Sequence, residues 1–245
     1  MPFEPVTQQS APEIVFDQIV EGVLSGDLAA GEALPSEREL ARMLGVSRPT
    51  VREALKRVAA AGLVTIRQGY GARVQDIART GGLDLLPRLL LRGGALVPSV
   101  ARSIVEARAA VGPEVARLAA QRATDDDLVA IRSVLDRLAA EPDPIGQQVA
   151  ALEFWSVVID AADSIAFRLM YNSLRAAYEP AVPALAGVLE PEVGNIEGYR
   201  ALVDTIAAHA PERAEAAARA LLAPATTALL ALCEALEITD PQEEH

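Results

Sequence analysis

The stretch from Ser36 to Gly71 leaves the chain the fewest alternatives. Ser36 is followed three residues later by Glu39, the spacing of a capping box, in which each residue's side chain serves the other's backbone amide. Gly45 permits the backbone geometry that ends a helix, and Ser47 can open the next. Pro49 falls in that helix's first turn, where a missing amide costs little. Leu40, Leu44, Val51, Leu55 and Val58 recur at helical spacing, and Leu63-Val64-Thr65-Ile66 with Arg67-Gln68-Gly69-Tyr70-Gly71 reads as strand, turn and strand. The expectation is a helix-turn-helix followed by a wing.

Charge says what this element meets. The chain of 245 residues carries a net charge of −12, yet from Ser36 to Arg73 eight bases face three acids. A positive island on a helix-turn-helix in an acidic protein is the footprint of phosphate contact. Ser47, Arg48 and Thr50 crowd the start of the second helix and Arg52 lies one turn on, where a recognition helix reaches base edges in the major groove. The arginine fork matches guanine O6 and N7, and helix-start amides suit phosphate.

These motifs carry a family resemblance. The runs Leu34-Pro35-Ser36-Glu37-Arg38-Glu39-Leu40-Ala41, Gly45-Val46-Ser47-Arg48-Pro49-Thr50-Val51-Arg52-Glu53-Ala54-Leu55 and Gly62-Leu63-Val64, closing on Gln68-Gly69-Tyr70-Gly71, resemble the winged-helix domain of GntR-family bacterial transcriptional regulators. The resemblance implies that Arg38, Ser47, Arg48, Thr50 and Arg52 contact an operator. It also implies that Gln68 and Gly69 at the wing tip approach the minor groove.

Around this head the chain divides by composition. Residues 1–10 have no periodicity and are expected as a flexible tail. Ile14, Ile19, Val20, Val23 and Leu24 give a helix face ended by Gly26, so the DNA-binding domain is expected over 11–76, with a linker at 77–81. Residues 82–240 show helical period without a convincing strand: Leu83–Leu86, Val97–Ala123, Asp125–Ala139, Val149–Ala162, Ile165–Tyr178, Ile196–Ala208 and Pro211–Leu236. The fold class is therefore mostly α, a winged helix-turn-helix plus an all-α bundle of six or seven helices for effector binding and dimerisation. Residues 77–245, with 24 acids and 14 bases, will not sit on phosphate.

Several functions are disfavoured. No GxxxxGK[ST] loop or HExxH occurs, and His209, at a helix end, reads as a cap and not a catalytic base, so no enzyme is expected. The single cysteine, Cys233, reads as a small apolar core residue suited to a reducing cytoplasm. Neither a leader nor an uninterrupted membrane-length apolar run is present, so no membrane partner is expected.

An all-helical second domain resembles the FadR subfamily, many of whose members hold a metal with one acid and three histidines. This chain has two histidines, and the family pattern puts Ala151, Trp155, Tyr199 and Leu221 at the ligand positions, so no metal is expected. Val105-Glu106-Ala107-Arg108, Phe167-Arg168-Leu169-Met170-Tyr171-Asn172 and Tyr178 are similar to the metal-free, fatty-acid-responsive branch. That resemblance implies a fatty acyl-CoA effector and regulation of lipid metabolism, with Arg108, Trp155, Tyr171, Asn172 and Tyr199 as ligand-binding candidates. Arg108 shares its helix face with Ile104, Val105, Val111 and Val115, so it needs a partner: a bound anion, or an acid such as Glu106, Asp160 or Asp163. Tyr171, Asn172 and Tyr199 can hydrogen-bond a ligand or satisfy the bundle's own backbone. The expected whole is a cytoplasmic homodimer on a pseudo-palindromic double-stranded operator. The alternatives are a regulator sensing a small organic acid without metal, and a helical ligand-binding adaptor without useful DNA affinity.

Overall fold

The computed structural model describes residues 10–67, 71–92 and 95–239, and these form two compact units that divide between Leu85 and Leu86. The wing-tip residues Gln68 and Gly69, the expected tail and His245 lie outside the described residues, apart from Ser10.

In the first unit α1 (Ala11–Leu24) precedes α2 (Glu37–Leu44), α3 (Arg48–Ala60) and the antiparallel strands β1 (Val64–Arg67) and β2 (Gly71–Val74). The capping box forms as spaced. Glu39 N donates to Ser36 Oγ at 3.3 Å, and Ser36 N donates to Glu39 Oε2 at 3.0 Å. Gly45 ends α2 in the left-handed region at φ +66°, and two residues later Ser47 accepts from Thr50 N to start α3. Val15, Ile19, Val20 and Val23 of α1 join Val51, Leu55, Val58, Leu63 and Val64 in the core. Ile14, expected on the inner face, is exposed, and Val15 and Phe16 are buried instead. Gly62 has φ +75°, and a Cβ there would stand 2.6 Å from the Thr80 carbonyl oxygen. That approach brings in the short helix α4 (Ile77–Thr80), whose Thr80 hydroxyl donates to Gly62 O at 2.9 Å.

The second unit begins with α5 (Leu86–Leu90) and a two-stranded hairpin, β3 (Leu91–Arg92) with β4 (Ala95–Leu96), so the expectation of no strand beyond the wing is corrected. Seven longer helices follow: α6 (Pro98–Arg122), α7 (Asp125–Ala140), α8 (Pro144–Ala161), α9 (Ile165–Tyr178), α10 (Val182–Val193), α11 (Ile196–Ala207) and α12 (Pro211–Thr239). The long helices α6 and α12 run antiparallel. Arg102 of α6 meets Glu237 of α12 at 3.0 Å, while a Cβ on Gly112 would stand 2.5 Å from Leu222. α12 has the length and apolarity of a membrane span; it buries Ala214, Ala218, Leu221, Ala225 and Leu229 in this bundle, with 22% of its most apolar stretch buried in all.

Two helices depart from the sequence expectation because of proline. α8 starts at Pro144 and not Val149: Asp143 accepts from Gly146 N at 2.8 Å, so a segment that looks like a linker is an N-cap with proline at the first helical position. α10 was not expected at all. Pro183 sits harmlessly in its first turn, and Pro191 falls in its last, where the ring opposes the carbonyl of Gly187.

Thr124 and Asp127 form a second capping box at α7, and the Thr124 hydroxyl and amide hold the Asp127 carboxyl below the usual range. The contribution is therefore present at neutral pH and lost as pH falls through the folded-state value. Thr124→Ala should cost about 1 kcal/mol in urea unfolding at pH 7, and the gap from wild type should narrow in acid.

Candidate functional site

The head presents one polar surface. Ser47, which caps α3, is exposed, as are Arg48 and Arg52 on that helix; Thr50 is half-buried, and Arg38 is exposed on α2. Arg48, Arg52 and Lys56 follow one another at four-residue steps and form a basic stripe along α3. Ser47 is first a structural residue: its hydroxyl accepts from Thr50 N at 3.3 Å and lies 2.8 Å from the Thr50 hydroxyl. Among the described residues Arg38 and Arg48 make no ion pair, whereas Arg52 is held by Glu37 of α2 at 2.7 Å. The Arg52 hydrogen bond, helped by the charges of Arg52, Arg48 and Lys56, holds the Glu37 carboxyl below its ordinary value.

The second unit contains a cavity of about 410 Å³ between α5, α6, α8, α9, α10 and α12. Its wall is mostly hydrocarbon, including Ile104, Val111, Leu174, Leu189 and Leu232, and Cys233 also lines it. Arg108 projects into this wall, but none of Glu106, Asp160 and Asp163 is its partner. Glu192 of α10 is. Asp160 instead pairs with Arg168. Burial disfavours the Arg108 charge, and the Glu192 carboxylate beside it overcomes that, raising the guanidinium above its usual value. Burial pushes the Glu192 carboxyl up, against the opposing pull of Arg108. Arg108 Nη1 and Glu192 Oε2 have no hydrogen-bond partner among the described residues.

The other candidates separate. Trp155 lines the cavity, and Tyr171 lines it while donating its hydroxyl to Leu152 O. Burial, partly offset by Arg175 and Arg168, pushes the Tyr171 phenol up to about 12, so it remains a donor at ordinary pH. Asn172 is exposed on α9 and is not part of the wall. Tyr199 is fully buried behind it, edge-on to Phe154 at 4.9 Å between ring centroids. The Tyr199 hydroxyl and the Trp155 indole N–H lack partners among the described residues. Three polar wall residues escape sequence reasoning: Gln148, Glu192 and Arg175 of α9, which pairs with Glu179 at 2.8 Å. Gln148, 2% exposed, accepts from the Tyr178 hydroxyl and lies in the unanticipated N-terminal part of α8; Glu192, equally buried, lies in the unanticipated α10. The available signal for Gln148 was its spacing, one and two turns before Leu152 and Trp155 on α8.

Ala151, Trp155, Tyr199 and Leu221, the positions matched to metal ligands, are all buried and supply no ligand set. Among the described residues no group of three histidine, cysteine or acidic side chains stands together. His209 takes a left-handed conformation at the end of α11, and its Nδ1 lies 2.9 Å from Ala120 O. It therefore serves the last turn of α6 as well as ending its own helix.

A two-helix reading head with a wing, joined to a helical unit enclosing a cavity, defines a ligand-responsive DNA-binding regulator. Residues 12–74 match the bacterial regulatory proteins of the gntR family, and residues 103–224 match the FCD domain. The chain is 51% identical, over 95% of its length and 97% of the relative's, to the HTH-type transcriptional regulator Mce2R of Mycobacterium tuberculosis. It belongs to the GntR family, whose members are DNA-binding regulators and not enzymes. A fatty acid metabolism regulator protein of Vibrio vulnificus is 28% identical over 59% of this chain and 49% of its own length. A solved structure described as Lar, which controls the expression of the Listeria monocytogenes agr system, shares the fold with a TM-score of 0.58 at 17% identity, covering 95% of this chain and all of that one.

The Arg108–Glu192 pair makes a sharp stability test. Glu192→Leu should cost about 3 kcal/mol because it leaves a guanidinium unpaired in an apolar wall, while Arg108→Met combined with Glu192→Leu should recover most of that in urea melts.

Proposed function

We propose that the chain binds a pseudo-palindromic operator as a homodimer and that a fatty acyl-CoA, its acyl chain held in the helical unit, modulates its operator affinity. The observation that carries the ligand class is the cavity, whose wall is mostly hydrocarbon and whose two arginines, Arg108 and Arg175, are already paired with Glu192 and Glu179. An acyl chain removes its apolar surface from water there, and such burial contributes in proportion to the area covered. The volume falls within the range of pockets that take small organic ligands. The name of the Vibrio vulnificus relative supports the lipid reading by analogy. A small organic acid is the second reading. It is favoured by Arg108 and weakened by Glu192, which already neutralises that charge.

On the DNA side, Arg38, Ser47, Arg48, Thr50 and Arg52 are the proposed operator contacts, joined by Gln68 and Gly69 of the wing. The adaptor reading would require this basic surface to lack useful DNA affinity, and a steep fall of binding with salt would exclude it. By linkage, a ligand that weakens operator binding is itself bound less tightly by the DNA complex.

Two measurements test the proposal. Arg48→Ala should weaken operator binding by about 1–3 kcal/mol in a gel-shift titration, and unchanged affinity would remove Arg48 from the reading surface. A thermal-shift series of acyl-CoAs should show stabilisation that grows with chain length and disappears in Ala101→Trp, which fills the cavity. Stabilisation only by a short carboxylate would transfer the site to the second reading.

A further inference from the structure

Glu37 is a single acid set against the basic stripe of the reading helix. Its carboxylate takes Arg52 along one edge: Arg52 Nε lies 3.0 Å from Oε1 and 3.1 Å from Oε2, and Nη2 lies 2.7 Å from Oε2. No described residue engages Nη1. The guanidinium is planar, so a carboxylate on the Nε/Nη2 edge leaves the opposite end, with Nη1 and the second N–H of Nη2, as an open two-pronged donor. That end matches guanine O6 and N7. The pair is too exposed to matter much to folding, with side chains 55% and 31% accessible. Simple electrostatics also disfavours it, because an acid beside Arg48, Arg52 and Lys56 opposes phosphate binding.

We infer that Glu37 is a positioning residue for operator recognition, clamping one edge of Arg52 so that its free end is presented as a rigid fork to a guanine. The inference rests on the reading that α3 enters the major groove. A long arginine side chain gives up rotamer freedom when it docks, and a partner that holds it beforehand removes part of that cost at the moment of binding. The clamp therefore converts a general phosphate-seeking charge into a directed contact.

The two accounts of Glu37 predict opposite signs. The probe is a duplex selected from a random-sequence library by the wild-type chain, compared with an unrelated duplex of equal length by fluorescence anisotropy at fixed salt. With Glu37→Gln, affinity for the selected duplex should fall about tenfold, while the unrelated duplex is bound equally well or better because a negative charge has gone. Replacing the guanines singly by 7-deazaguanine, which lacks the N7 acceptor, should penalise wild type at one guanine in each half-site. Glu37→Gln and Arg52→Lys should show little further loss at that same guanine. Equal or tighter binding of the selected duplex by folded Glu37→Gln, or 7-deazaguanine penalties identical to wild type, would overturn the inference. If the wild-type chain selects no sequence at all, the recognition-helix reading itself falls and takes this one with it. Circular dichroism melts superimposable on wild type keep a folding defect from being counted as lost recognition.

Discussion

A guanidinium ion does not leave water for hydrocarbon unless a counter-charge goes with it. In the helical unit the buried carboxylate of Glu192 on α10 meets the partly buried guanidinium of Arg108 on α6, and the joining of those two helices follows from that requirement. The pair ties α10 to the long helix α6 across the cavity. Around it, Gln148 of α8 accepts from Tyr178 of α9, so four helices contribute polar groups to a mostly apolar wall that Arg175, paired with Glu179, also lines. Because the charges cancel locally, the wall is hydrocarbon carrying a neutral polar patch. That suits a largely apolar guest better than a compact anion.

The head follows a different rule. Its helices are short, so they depend on their ends: a capping box at Ser36, a left-handed glycine at 45 and a second serine cap at 47. Those caps fix where α3 begins, and hence which side chains face outward at its first turn. Hydrophobic packing of α1 against α3 then holds the helix from behind and leaves the basic stripe in water. Glu37 enters this surface because α2 starts at it, which is also where a carboxylate is welcome beside exposed helix amides.

The head was legible in the sequence because its determinants are local. A cap acts within three residues and a basic stripe within one helix, so spacing alone predicts both. The bundle was legible where helices obey the 3.6-residue period, and opaque where proline intervened. Pro144 and Pro183 resemble punctuation when read along the chain, yet both occupy first-turn positions where a proline amide is not missed. The buried wall residues Gln148 and Glu192 belong to those same segments. The short hairpin Leu91–Leu96 was missed because two residues per strand carry no alternation to detect.

By itself the sequence determined a winged helix-turn-helix with a positive face, an acidic helical second unit and the absence of three histidines for a metal site. Each of these depends on near neighbours or on counting. Only the tertiary structure decided that Arg108 pairs with Glu192, 84 residues away, that Asn172 faces out while Tyr199 is buried edge-on against Phe154, and that Arg52 reaches back to Glu37. Burial and pairing are properties of side chains brought together from distant positions, and an Ala-, Leu- and Val-rich sequence offers many helix faces that pack equally well until the whole bundle chooses among them.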